Sequence, residues 1–236
     1  MKDVHNRLFL LFILCLFFVI FITLPDYGIT WDEPLYYQAG DSYIQWTINS
    51  LQGLLKGDLY NLLSPHSLDF YWQKNAQHPP CIKITAGWTK LLFSPLVNKT
   101  SAYRLSELFW YLALVSLVFY ITRDISSPTA AWFAAMATTT MPRLFAHAHF
   151  VELDLPLSVL WLLTLYCFYL GIEKCKWSVC TGIVFGLALL TKVTAIFILI
   201  PLLFWAQFIN KKRYTHNLFS LFFIGFPLFI LLWPWL

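Results

Sequence analysis

The chain has 236 residues, 59% of them hydrophobic and 19% aromatic, with 12% charged and a formal net charge of +4. That balance is far from a soluble globular domain and fits a membrane protein, and eleven Trp and twelve Tyr suit a chain with many lipid–water boundaries. The small net charge, with no basic run interleaved with aromatics, excludes nucleic acid as a partner.

At the N-terminus Lys2 and Arg7 precede about 17 apolar residues, and no small-residue cleavage signal precedes Pro25, which reads as a retained signal anchor. Apolar runs then fall at 8–24, 105–121, 128–147, 153–171, 177–191, 193–209 and 217–236. Each is near the length that crosses a bilayer, so the expected fold is an all-α polytopic membrane protein with about seven transmembrane helices. One helix over 177–209 would be roughly 50 Å long against a hydrocarbon layer of about 30 Å, so a turn is expected at Lys192. With the N-terminus cytoplasmic, seven spans place Lys2, Arg7, Arg123, Lys174, Lys176, Lys211, Lys212 and Arg213 on the cytoplasmic side, as the bias of basic residues in short loops requires.

Residues 25–104 form a long first external loop, too long to be a mere connector. Ile44, Ile48, Leu51 and Leu55 recur in it at helical spacing, as do Ile84, Trp88, Leu91 and Leu92, which predicts two amphipathic helices along the membrane surface. Asn98-Lys99-Thr100 is a glycosylation sequon. The five cysteines, Cys15, Cys81, Cys167, Cys175 and Cys180, match neither a zinc site nor a disulfide framework, and no internal repeat is evident.

Four polar groups fall on the expected external side. In “TWDEPLYYQAG”, Pro34 suits the first turn of a helix, so Glu33 and Asp32 sit at a helix start whose dipole favours ionised carboxylates. Capping is the simpler local role, and an ionised Asp at the membrane surface can also take a proton from a hydroxyl. In “QHPPCIKITAGW”, His78 and Lys83 flank a Pro-Pro turn and could hold a phosphate, although a snorkelling lysine explains the second equally well. In “MPRLFAHAHFVELDLPL”, the density of Arg143, His147, His149, Glu152 and Asp154 implies a water-filled cavity or polar interface. His147, His149, Glu152 and Asp154 are all metal-ligand types without metal-specific spacing, so a divalent metal is left open. In “GLALLTKVTAIF”, Lys192 is the only charge between two apolar runs.

The order of “WDEPLYY”, “HPPCIK”, “YRLSELFW”, “ELDLPL” and “GLALLTK” resembles the lipid-linked-sugar glycosyltransferases of the C-type fold. The nearest in style are the protein O-mannosyltransferase and aminoarabinose transferase branches and the bacterial transferases that glycosylate lipopolysaccharide. The likeness covers most of residues 8–210. It implies one transmembrane glycosyltransferase-like domain over 1–236 that takes a sugar from a polyprenyl-phosphate carrier, such as dolichyl phosphate. The sugar would pass, with inversion, to a protein, lipid or glycan acceptor on the external, periplasmic or lumenal face. It implies Asp32 as catalytic base, Glu33 as the second acidic residue, and Asp154 on the same cavity, which His147, His149 and Glu152 would also line. His78, Lys83, Arg104 and Lys192 are then the candidates for a cationic cradle around the donor phosphate.

Members of that family usually continue through further spans and often a soluble domain, so the chain is expected to be either a fragment of a longer protein or a truncated gene product. “ELDLPL” lacks the basic residue that some relatives carry just before the acidic position, which leaves substrate choice open. The alternatives are a non-catalytic relative acting as a lipid-binding or complex subunit, and a transporter. The latter is less favoured because no paired, interrupted halves are visible.

Overall fold

The computed structural model describes residues 2–57, 64–208 and 211–236; the side chains of residues 2, 3 and 211–213, including the Lys211-Lys212-Arg213 cluster, lie outside that description. Every regular element among the described residues is helical. Helix α1 (Lys2–Thr23) runs into a 3-10 turn at Leu24–Asp26 and is followed by α2 (Glu33–Leu55), α3 (Pro65–Trp72) and α4 (Cys81–Phe93). Then come α5 (Lys99–Ile125), α6 (Pro128–Thr139), α7 (Pro142–His147), α8 (Asp154–Gly171) and α9 (Cys175–Leu189). A 3-10 segment, Val193–Ile198, leads to α10 (Leu199–Phe208) and α11 (Lys211–Ser220), and a π turn at Leu221–Gly225 leads to α12 (Phe226–Leu231).

Four helices among the described residues are long and apolar enough to cross a membrane: Val4–Asp26, Lys99–Ile125, Asp154–Gly171 and Tyr214–Leu231. The expected runs 177–191 and 193–209 appear as shorter apolar helices, Cys175–Leu189 and Val193–Phe208, parted near Lys192 as the length argument required. The expected span 128–147 is not continuous. Pro142 disfavours helical geometry at the residue before it, and Met141 is extended with φ −70° and ψ 110°, so α6 ends and the short α7 begins anew. Both predicted loop helices are present, as α2 and α4, and α3 stands between them.

The chain divides into two compact units, the first formed by Met1–Pro34 and Thr85–Val159, the second by Leu35–Ile84 and Leu160–Leu236. In the first, Phe9 of α1 stacks on Phe119 of α5 with ring centroids 3.8 Å apart, and Trp132 of α6 meets both edge-on. Ser127 caps α6 through the amide of Ala130, and Pro128 opens the helix, which makes the tight reversal after α5. Arg123, bonded to Asn6 and lying over the Tyr120 ring at 4.8 Å, ties the other ends of α1 and α5 together.

In the second unit Tyr43 of α2 stacks on Trp72 of α3 at 4.3 Å, and Ala39, Leu190 and Trp233 complete a buried cluster with them. Helix α9 lies almost backbone to backbone against the π turn. A Cβ on Gly186 would stand 2.7 Å from the Gly225 carbonyl oxygen, and one on Gly182 would overlap the Ser220 carbonyl. Such close approach is how small residues let helices associate where burial of apolar surface gives no net drive. Gly182→Val is therefore expected to cost about 1–3 kcal/mol by overpacking, read as a lowered unfolding midpoint of the detergent-solubilised chain.

Candidate active site

In the first unit the chain leaves α1 and returns to start α2 through residues 24–33, and this short loop is held from inside by one side chain. Arg104, one and a half turns into α5, is fully buried. Its Nη1 donates to the carbonyls of Leu24 (3.0 Å) and Tyr27 (2.8 Å), and its Nη2 to the carbonyl of Gly28 (2.7 Å) and to Glu33 Oε2 (2.8 Å). Nε donates to Glu33 Oε1 at 2.8 Å. A guanidinium has five N–H groups, so every donor is taken. Glu33 is equally satisfied, since it also accepts from the amides of Thr30 (2.9 Å) and Val151 (3.0 Å).

That geometry reassigns two of the expected residues. Arg104, anticipated in the phosphate cradle, has no N–H left for a phosphate in this arrangement. Glu33 does reach back to the loop amide as a capping residue would, yet its main partner is Arg104, and it is fully buried. Asp32, one residue earlier, is exposed on the loop they hold, next to Trp31 at 92% exposure.

The polar stretch after α7 is also internally bonded. His149 is buried, stacked on Tyr27 at 4.2 Å, with Nδ1 2.7 Å from the Phe145 carbonyl and Nε2 2.7 Å from the Thr23 hydroxyl. Burial pushes its pKa below the ordinary value. Glu152 caps α8, accepting from the amides of Asp154 and, at 2.6 Å, Leu155. Burial pushes its pKa up, partly offset by those two amides.

His147 Nδ1 lies 3.0 Å from Glu152 Oε1, and Arg143 Nε donates to His147 Nε2 over 3.4 Å. Arg143, Leu144, His147, Asp154, Leu155 and Ser158 line an open cavity of about 190 Å³. Among the described residues no group of three or more His, Cys, Asp or Glu side chains is suited to hold a metal ion.

The remaining candidates lie in the second unit. Lys83 is buried and donates from Nζ to the carbonyls of Asn75 (2.5 Å) and His78 (2.6 Å), fixing a loop in which Asn75 has φ 55°. Burial lowers its pKa to about 7. The His78 ring meets Tyr36 edge-on at 6.5 Å. Lys192 is half-buried in the break ahead of Val193–Ile198.

Residues 77–235 match the family model described as dolichyl-phosphate-mannose-protein mannosyltransferase. The chain belongs to this family. No curated protein and no solved structure matches it. The mannosyltransferase match takes in Arg104 and Asp154 and begins after the loop that carries Asp32 and Glu33. Together with the apolar helices it identifies the chain as a membrane protein of a glycosyltransferase family that uses dolichyl-phosphate sugar.

One buried acidic residue stands outside the set that the sequence singled out. Glu107, three residues beyond Arg104 on α5, is fully buried, and neither carboxyl oxygen has a hydrogen-bond partner of normal geometry. Glu152 and Glu33 are its acidic neighbours. The signal was available, since a carboxyl inside an otherwise apolar span is by default a functional position.

Two measurements bear on these groups. Arg104→Lys offers at most three donors for five acceptors and is expected to lower stability by about 3–5 kcal/mol, the range for breaking a buried pair, seen as a large fall in unfolding midpoint. Lys83 binds fewer protons folded than unfolded between pH 7 and its ordinary value of 10.5, so stability rises with pH across that window. The unfolding midpoint of the parent should accordingly gain on that of Lys83→Met between about pH 7 and 10.

Proposed function

We propose that the chain is an integral-membrane glycosyltransferase that moves a sugar, with inversion, from a polyprenyl-phosphate donor to an acceptor hydroxyl on the external or lumenal face, with Asp32 as general base. The observation that carries this reading is the clamped loop within a chain of the mannosyltransferase family: Arg104 spends all five N–H groups on residues 24–33, Glu33 ties the loop to Arg104 and Val151, and Asp32, next to Glu33 at the start of α2, is one of the two carboxylates, with Asp26, that the loop presents to solvent. A base held within a fraction of an ångström is worth far more than the same group on a free loop.

In the proposed step the Asp32 carboxylate takes the proton of the acceptor hydroxyl as its oxygen attacks the anomeric carbon. The new carbon–oxygen bond forms as the bond to the phosphate oxygen breaks, and the electron pair leaves with the polyprenyl phosphate. A phosphate is an acceptable leaving group and needs charge stabilisation more than a general acid. Arg104 and Lys83, engaged by backbone carbonyls and Glu33, are not assigned to that stabilisation.

An apolar cleft of about 390 Å³ in the first unit, lined by Thr85, Trp88, Thr89, Ser106, Phe109 and Trp110, suits part of the isoprenoid chain. In this reading the two shorter apolar helices and the α6–α7 segment serve as further crossings, seven in all, with the N-terminus cytoplasmic and residues 25–104 outside.

The test is transfer of labelled mannose from dolichyl-phosphate mannose in proteoliposomes. Asp32→Asn should reduce kcat by about 10²–10⁴-fold, the usual contribution of a general base, with unchanged membrane insertion. Parent-like transfer by that variant would remove Asp32 as the base, and absence of transfer by the parent would remove the transferase reading.

A further inference from the structure

Two apolar side chains stand out on the loop that carries Asp32. Ile29 is 62% exposed, and Trp31, at 92%, is the most exposed large apolar side chain among the described residues. The backbone that displays them is fixed on both sides of Ile29, since the Gly28 carbonyl accepts from Arg104 and the Thr30 amide donates to Glu33. Glu33, two residues past Trp31, is in turn held by Arg104 through both carboxyl oxygens. The loop therefore cannot collapse over these two side chains.

The same clamp sets where they stand relative to the membrane. Helix α1 and its 3-10 turn make the spanning segment Val4–Asp26, whose exposed apolar residues towards this end include Phe18, Val19 and Ile22. One guanidinium reaches the carbonyl of Leu24, inside that segment, and those of Tyr27 and Gly28 beyond it. The loop thus lies against the end of the span, and Ile29 and Trp31 follow directly on its lipid-facing residues.

Their depth is bounded from both directions. In bulk water an indole and a branched alkyl group leave apolar surface hydrated. Asp26 and Asp32, exposed beside them, are too costly to sink into hydrocarbon. The headgroup layer satisfies both demands, because there an indole buries its rings among the upper acyl chains and gives its N–H to a lipid oxygen. A protein surface in that place would have to supply cations for both carboxylates, whereas zwitterionic headgroups bring ammonium groups of their own.

We infer that Ile29 and Trp31 seat the loop in the lipid headgroup layer on the side where α1 ends, and that this contact fixes the depth of Asp32. A base one residue from an interfacial indole stands at the level where the phosphate of a lipid-borne donor lies, since the prenyl chain stays in hydrocarbon. The role in donor encounter rests on the proposed transferase reading; the lipid contact itself is measurable without turnover.

Tryptophan fluorescence of the full chain in phosphatidylcholine nanodiscs, with lipids brominated high or low on the acyl chain as quenchers, tests the contact. The emission of Trp31 is read as parent minus Trp31→Tyr, and it should be quenched more by the high bromines than by the low ones. Quenching by aqueous iodide alone would place Trp31 in water, and quenching by neither agent would place it under protein; either result, or stronger quenching by the low bromines, overturns the inference. Trp31→Ala removes no packing at that exposure, so its fold is expected to be intact. It should raise the KM for dolichyl-phosphate mannose about tenfold with kcat within about twofold, because the loop meets the donor less often while Arg104 still holds Asp32, and Trp31→Tyr, which keeps an interface-seeking ring, should restore the parent KM. A parent-like KM in Trp31→Ala would overturn the depth role. Quenching by the high bromines in a chain that transfers no mannose upholds the contact and removes the transferase reading, and transfer by a chain whose Trp31 is unquenched does the reverse.

Discussion

The guanidinium of Arg104 is the constraint on which the first unit depends. Burying a charge costs several kcal/mol unless it is paired and fully hydrogen-bonded, and here one side chain reaches both conditions by collecting three carbonyls and a carboxylate. Those carbonyls belong to a stretch that is neither helix nor strand and would otherwise leave backbone groups unsatisfied. The arginine therefore solves two problems together: its own desolvation and that of the loop. Glu33 completes the arrangement by carrying the effect on to the amide of Val151, so that the entrance to α2 and the approach to α8 are fixed from one point on α5.

Two populations of polar residue emerge. Arg104, Glu33, His149 and Lys83 are buried and engaged by fixed partners, so their chemistry is spent on shape. Asp32, Arg143 and Asp154 are exposed, and His147 borders an open cavity. In a membrane protein both populations look alike as sequence, since each is a charge in an apolar setting. They differ in whether the backbone nearby has unmet needs, and where it does, the charge is consumed locally.

Much of the architecture was legible because hydrophobic periodicity and length are read directly from residue types. The runs at 8–24, 105–121 and 153–171 correspond to α1, α5 and α8, and the spacing of Ile44 to Leu55 and of Ile84 to Leu92 marked α2 and α4. The interruption at Pro142 was written in the chain but was outweighed by the apolar residues on both sides. The partners of Arg104 were not legible at all, since backbone carbonyls have no residue-type signature and Glu33 lies 71 positions away. Likewise nothing in “HPPCIK” shows that Lys83 turns back onto Asn75 and His78. Asp32 was singled out by its place at a helix start and Asp154 by the polar cluster it belongs to and by the resemblance, and the family match reaches the second of them only.

The division of the run after Pro128 has a further consequence. A helix of 12 residues, as α6 is, rises about 18 Å, well short of a hydrocarbon layer of about 30 Å. The irregular backbone that follows cannot face lipid, because acyl chains offer nothing to free amides and carbonyls. Just past the break, Arg143, His147, Asp154 and Ser158 line the open cavity of about 190 Å³, so the irregular backbone runs beside polar side chains and open space.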